Sequence, residues 1–151
     1  MTDTQADVLE REIRIAAQPE TIFAFFIDPA KLIQWIATEV AVDARPGGIC
    51  RMNINGYITR GEYLEIVPPS RVVFTWGWEN EGSMPPPGAS TVEISLFPEG
   101  ATTLVRLRHL GLNADERKPH GEGWDYFLSR LMLAAEGRAP ESNQADGSLN
   151  M

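Results

Sequence analysis

The stretch TTLVRLRHLGLNADERKPHGEGWDYFLSRLMLAAEG, residues 102–137, changes its hydrophobic period once, and that change decides the fold. Over 102–110 the period is two. Val105, Leu107 and His109 fall on one face and Arg106 and Arg108 on the other, as in a strand buried on one side. Beyond Asn113 the period lengthens. Trp124, Phe127, Leu128, Leu131 and Ala135 recur at helical spacing. Asn113, with Asp115 and Glu116 behind it, marks the helix start, and Gly137 its stop. Pro119, Gly121 and Gly123 are expected to kink or delay the early part.

Upstream, the same alternation recurs. Val92, Ile94 and Leu96 share a face opposite Thr91, Glu93 and Ser95, and Pro98-Glu99-Gly100 reads as a turn. Val72, Phe74, Trp76 and Trp78 alternate with Val73, Thr75 and Gly77, ahead of a long Pro-rich loop over 80–90. Cys50, Met52 and Ile54 alternate with Arg51, Asn53 and Asn55, and a further run covers 57–67. A first strand is expected over 8–16. Pro19 and Glu20 favour a short helix through the apolar stretch Ile22–Ile27. Asp28-Pro29 then reads as an N-cap and first helical proline, with a second short helix to about Trp35. The predicted order is one strand, two short helices, five or six antiparallel strands and a long C-terminal helix. Such a sheet is apolar on one face, and wrapping that face around the last helix buries both.

Composition sets the limits. The chain has 151 residues, 43% hydrophobic and 23% charged, enough to fill one core. The expected domain is 8–136, with 1–7 and 137–151 as mobile tails. A net charge of -8 disfavours nucleic-acid and anionic membrane partners. The run Ile22–Ile27 is far short of a membrane span, and the opening residues lack the pattern of a signal peptide, so a cytoplasmic protein is expected. Cys50 is the one cysteine, which excludes an internal disulfide and paired-cysteine zinc or redox chemistry.

The ordered set of these pieces resembles the START-like, birch-pollen-allergen-like superfamily, the α+β helix-grip fold. Within it the chain is most similar to the family related to the C-terminal domain of the activator of the heat-shock-protein-90 ATPase. The matching residues are Ala17-Gln-Pro-Glu-Thr-Ile-Phe23, Asp28-Pro-Ala-Lys-Leu32 with Trp35, Arg45-Pro-Gly-Gly48, Gly61-Glu-Tyr-Leu-Glu-Ile-Val-Pro-Pro69 with Arg71, and Thr75-Trp76. Later come Thr103 to Leu112, His120, Gly123-Trp124 and Leu131. The resemblance implies an internal cavity between sheet and long helix, and a small hydrophobic or amphipathic ligand. It also implies two alternatives, a chaperone cofactor or stress-response interaction protein and a cavity-based cyclase or hydrolase. The eukaryotic activator carries a separate N-terminal domain, which is not expected here because about seven residues precede the first strand.

Candidate cavity residues follow from the predicted inner face. Trp35, Trp76, Trp78 and Trp124 would grip a planar apolar ligand, each indole N–H offering one oriented contact. Met52, Ile54, Phe74, Ile94, Leu107 and Leu128 would complete the wall. His109, facing inward with Val105 and Leu107, would bond a ligand carbonyl, act as an acid or base, or pack as a satisfied core histidine. His120 would sit at the cavity mouth or support the helix start. No nucleophile elbow, phosphate loop, HExxH pair or dinucleotide fingerprint occurs, so no catalytic residue, metal or cofactor is assigned. Cys50 reads as a small buried hydrophobe. A monomer or homodimer is expected.

Overall fold

The computed structural model describes residues 8–138, so the expected tails, 1–7 and all but two residues of 137–151, lie outside the described residues. The chain runs β1 (Val8–Ile15), α1 (Pro19–Ala24), α2 (Pro29–Leu32), β2 (Glu39–Val42), β3 (Ile49–Ile54), β4 (Tyr57–Val67), β5 (Arg71–Trp76), β6 (Ser90–Glu99), β7 (Thr102–Leu110) and α3 (Ala114–Ala135). One seven-stranded antiparallel sheet has the order β1-β7-β6-β5-β4-β3-β2. A register shift between Tyr63 and Glu65 marks a bulge in β4, a device that bends and twists a strand. The fold is the α+β helix-grip arrangement: a curved sheet, a long C-terminal helix, and two short helices after the first strand.

Alternation sets the core as expected. Val72, Phe74 and Trp76 on β5, Val92, Ile94 and Leu96 on β6, and Val105, Leu107 and His109 on β7 are all buried. α3 covers them with Trp124, Phe127, Leu128 and Leu131. The opposite face carries charges in register. Arg106 meets Glu12 at 2.7 Å and Arg108 meets Glu10 at 3.4 Å, each across the β1–β7 ladder. Arg11 lies on the inner side of β1 and bonds Asp125 of α3 at 2.7 Å. Gly121 leaves room for it, since a Cβ there would lie 2.6 Å from the Arg11 guanidinium.

The helix corrects one expectation. α3 is already helical through Pro119, Gly121 and Gly123, neither delayed nor broken before Ala135. Asn113 and Glu116 form a reciprocal capping box, each side chain bonded to the other's backbone at 3.0 Å. Packing against the sheet then offsets the one backbone hydrogen bond that Pro119 cannot donate. A second correction concerns 98–100. β6 continues through Pro98 and Glu99, paired with Thr103 and Thr102. The pairing of β6 with β5 ends at Ser95, and the Leu96 amide, which faces that side, bonds Ser70 in the preceding turn. Pro98 faces the same side two residues later, where no strand asks for its missing N–H. A third concerns Trp78, which lies beyond β5 and joins the sheet through an isolated bridge to Thr59.

Candidate functional site

Five rings from four parts of the chain converge under the N-terminal half of α3. Trp76 ends β5, Trp78 follows it, His109 sits on β7, and His120 and Trp124 descend from α3. Trp76 lies at the centre, with ring centroids 5.4 Å from Trp78, 5.1 Å from Trp124 and 5.7 Å from His109. The two imidazoles meet edge to face at 5.5 Å.

The proton positions in this cluster follow from the indoles, which can only donate. Trp124 Nε1–H donates to His109 Nδ1 at 3.0 Å. His109 therefore carries its proton on Nε2 and donates it to Ser90 Oγ at 2.9 Å. Ser90 in turn donates to the Trp76 carbonyl at 2.7 Å. Likewise Trp78 Nε1–H donates to His120 Nε2 at 3.1 Å, so Nδ1–H of His120 bonds the Glu116 carbonyl at 2.8 Å. The two histidines are neutral and hold opposite tautomers. Burial, with a smaller repulsion from His120, pushes the His109 pKa down to about 3. Burial also lowers His120, against the raising pull of Glu116. Although Ser90 and His109 are in contact, the imidazole presents a proton rather than a lone pair to the hydroxyl. The pair lacks the polarity of an activated serine.

The candidate residues all lie in the core. Trp76, Trp78, His109, His120 and Trp124 form the ring cluster. Trp35, Met52, Phe74 and Trp124 border an enclosed apolar void, together with Phe26, Leu32, Ile36 and Cys50. That void offers about 10 Å³ to the centre of a water-sized sphere, room for roughly one water. Ile54, Ile94, Leu107 and Leu128 are buried and are not among the residues that border this void. The indole of Trp35 is spent on structure, donating to the Phe25 carbonyl at 2.9 Å. Arg130 of α3 bonds the Trp35 carbonyl at 3.0 Å and so ties the segment after α2 to the long helix.

Outside the cluster lies a groove of about 520 Å³ between the start of β4, the Pro-rich loop and the start of α3. Tyr57, Ser83, Met84, Asp115 and Pro119 line it, and His120 forms part of its wall. The Pro-rich loop is seated on the strand rather than free of it. Trp78 N–H donates to the Pro85 carbonyl at 2.8 Å, and a Cβ on Gly77 would fall 2.0 Å from the Pro86 oxygen. Sequence reasoning passed over Ser90, assigned to that loop, and Thr59 and Tyr63, hidden in a run without clean alternation. Tyr63 is fully buried and donates to the Phe26 carbonyl at 2.9 Å. Among the described residues no three His, Cys, Asp or Glu side chains converge as a metal-holding group, and no helix is long and apolar enough to cross a membrane.

A seven-stranded sheet gripping a C-terminal helix, with aromatic side chains packed between them, defines the START-like class of helix-grip proteins. Within that class the chain belongs to the activator of Hsp90 ATPase homolog 1-like family, whose model matches residues 16–136. The AHSA1-like protein of Rhizobium etli is similar at 37% identity and a TM-score of 0.69, over 93% of this chain and 88% of that one. A protein of Chromobacterium violaceum shares 25% identity at a TM-score of 0.74, over 87% of this chain and 98% of the other. The Aha1 dimer of Colwellia psychrerythraea has the same fold at 21% identity and a TM-score of 0.73, over 85% and 96% of the two chains. No curated protein matches the chain.

Proposed function

We propose that the chain, folded over residues 8–136 and acting in the cytoplasm, binds a small hydrophobic or amphipathic molecule noncovalently between the sheet and α3. The observation that carries this reading is the groove of about 520 Å³ that reaches His120 at the edge of the aromatic cluster. Pockets for small organic molecules run to roughly 300–1,000 Å³. The apolar part of the ligand enters by displacing side chains, because the void behind the cluster has room for only about 10 Å³. Met52 borders that void and Met84 lines the groove, and methionine repacks readily. Burial of ligand carbon at about 25 cal/mol per Å² supplies the affinity.

The test is intrinsic tryptophan fluorescence under titration with a fatty acid, a sterol, a flavonoid and a planar polyketide-like aromatic. Saturable quenching or a blue shift by one class, lost in Trp76→Ala, supports the reading. A folded sample with no saturable response to any class removes it.

A second reading, an interaction protein of the chaperone-cofactor kind, is favoured by one observation. The interior is nearly filled, while Met84 and Ile33 stand 56% and 47% exposed. The family description points to the same partner class, and the Colwellia relative is a dimer. Stimulation of a purified Hsp90-type ATPase by this chain, with no ligand response in the fluorescence titration, would favour it.

A further inference from the structure

Two buried polar atoms on the concave side of the sheet have no hydrogen-bond partner among the described residues: Trp76 Nε1 and Thr59 Oγ1. The other three indoles are engaged, Trp35 with a carbonyl and Trp78 and Trp124 with imidazoles. Trp76 is 2% exposed and Thr59 1%. Both residues neighbour Trp78. Thr59 pairs with Trp78 across the isolated bridge, and the Trp78 ring lies 5.4 Å from that of Trp76. Thr59 also stands opposite Met52, which borders the enclosed void. Phe74 and Trp124, which border it too, lie 6.4 and 5.1 Å from Trp76, ring to ring.

We infer that Trp76 Nε1–H and the Thr59 hydroxyl together receive one acceptor oxygen, a carbonyl or ether, of a neutral, planar, largely apolar ligand. This inference rests on the proposed function and names the ligand's chemistry. An indole only donates and a threonine hydroxyl can donate, so two lone pairs on a single oxygen satisfy both. Phenylalanine and valine would fill the same space without leaving buried polar groups unpaired, so the polar atoms need a partner from outside. A carboxylate does not suit the site. The described lining of both void and groove contains no Lys or Arg, and the groove's lip carries Asp115 and Glu116. A bare anion buried there would be uncompensated.

The experiment compares fluorene with 9-fluorenone, which share one skeleton and differ by a carbonyl in place of a methylene. Affinities are read by tryptophan quenching and the indole N–H resonances by nitrogen–proton correlation spectra. Thr59→Val is nearly isosteric. It is expected to weaken 9-fluorenone about five- to tenfold, the worth of one hydrogen bond, and to leave fluorene unchanged. In the unmodified protein the Trp76 indole resonance moves downfield with 9-fluorenone and not with fluorene. Equal effects of Thr59→Val on both probes, or an unmoved Trp76 indole, overturns the inference and leaves the binding function standing. Failure of both probes to saturate on folded protein overturns this inference; the binding function falls with it only where the fatty acid, sterol, flavonoid and polyketide-like aromatic give no saturable response either. The Thr59→Val protein alone should melt at or above the temperature of the parent, since it loses an unpaired buried hydroxyl. A sharp fall would mean that the hydroxyl already has an internal partner.

Discussion

Trp124 donates to His109 Nδ1 at 3.0 Å, and that one bond sets the direction of every proton from α3 through β7 and β6 to the end of β5. Reversing any link would place two donors face to face. Trp124→Phe leaves the nitrogen bare and opens a space beside it, at an expected cost of about 3 kcal/mol. Ser90→Ala leaves the Nε2 proton unpaired and should cost about 1–3 kcal/mol. Urea unfolding at pH 7.5 measures both. Long-range nitrogen–proton spectra should show His109 protonated at Nε2 and His120 at Nδ1.

Stability should fall in mild acid before the carboxylates titrate. In the unfolded chain a histidine takes a proton near pH 6.5, whereas folded His109 resists it down to about 3. Between those values the unfolded state binds more protons, so stability is full above pH 6.5 and declines as the pH drops. His109 alone accounts for about 1.4 kcal/mol lost between pH 7.5 and 5.5. His120, shifted the same way, adds to it. Urea midpoints across this range should fall continuously. A flat profile would mean that both imidazoles titrate normally in the folded protein.

Gly77→Ala should be among the more damaging single-methyl changes. The new Cβ would meet Pro86 backbone atoms at 2.0 and 2.3 Å, and neither can swing aside as a side chain can. Overpacking of this kind costs about 3 kcal/mol. The Pro-rich loop must lift from the strand, so Met84 and the groove wall move with it. A drop in melting temperature together with faster proteolysis within 80–90 is expected. An unchanged melt would show that the loop is loosely held.

Cys50 should be inert in the native protein. The residue is 4% exposed, and burial pushes its thiol pKa up to about 12, against a smaller lowering from Tyr63. The reactive thiolate is therefore almost absent at pH 8. Ellman's reagent should label it only after unfolding, at the unfolding rate. Prompt native labelling would indicate an opening of the β3–β4 region.

Where the sequence was legible, one face of an element was buried and the other wet. β1, β5, β6, β7 and α3 largely meet that condition, and the apolar residues the alternation placed on the inner face of β5, β6, β7 and α3 are buried. Arg11 falls in step with Leu9 and Ile15 because it reaches Asp125 on the helix. β2 was not located. Its four residues lie at the sheet edge with a half-exposed pattern, too short and too wet for a period to emerge. Val73 broke the polar-face rule. It is buried on the charged side, opposite Glu65 and Glu93, whose partner Arg71 helps enclose it. The aromatic cluster was half legible. Residue types and facing could be read, but its coherence depends on Ser90 and on two tautomers that only spatial neighbours define.

The strand order carries a consequence for biosynthesis. β2 to β7 pair in succession, so each can dock on the one before it as the chain emerges from the ribosome. β1 is made before any of them but pairs only with β7, its Leu9 opposite His109. It must wait until every other strand has been made, unpartnered and carrying Leu9, Ile13 and Ile15. Late closure of β1, followed by α3 through Arg11 and Asp125, would be the slow step of folding, since long-range pairings pay their loop entropy first. The nascent chain is most exposed to misassociation in that interval, when a sheet edge and an uncovered apolar face coexist.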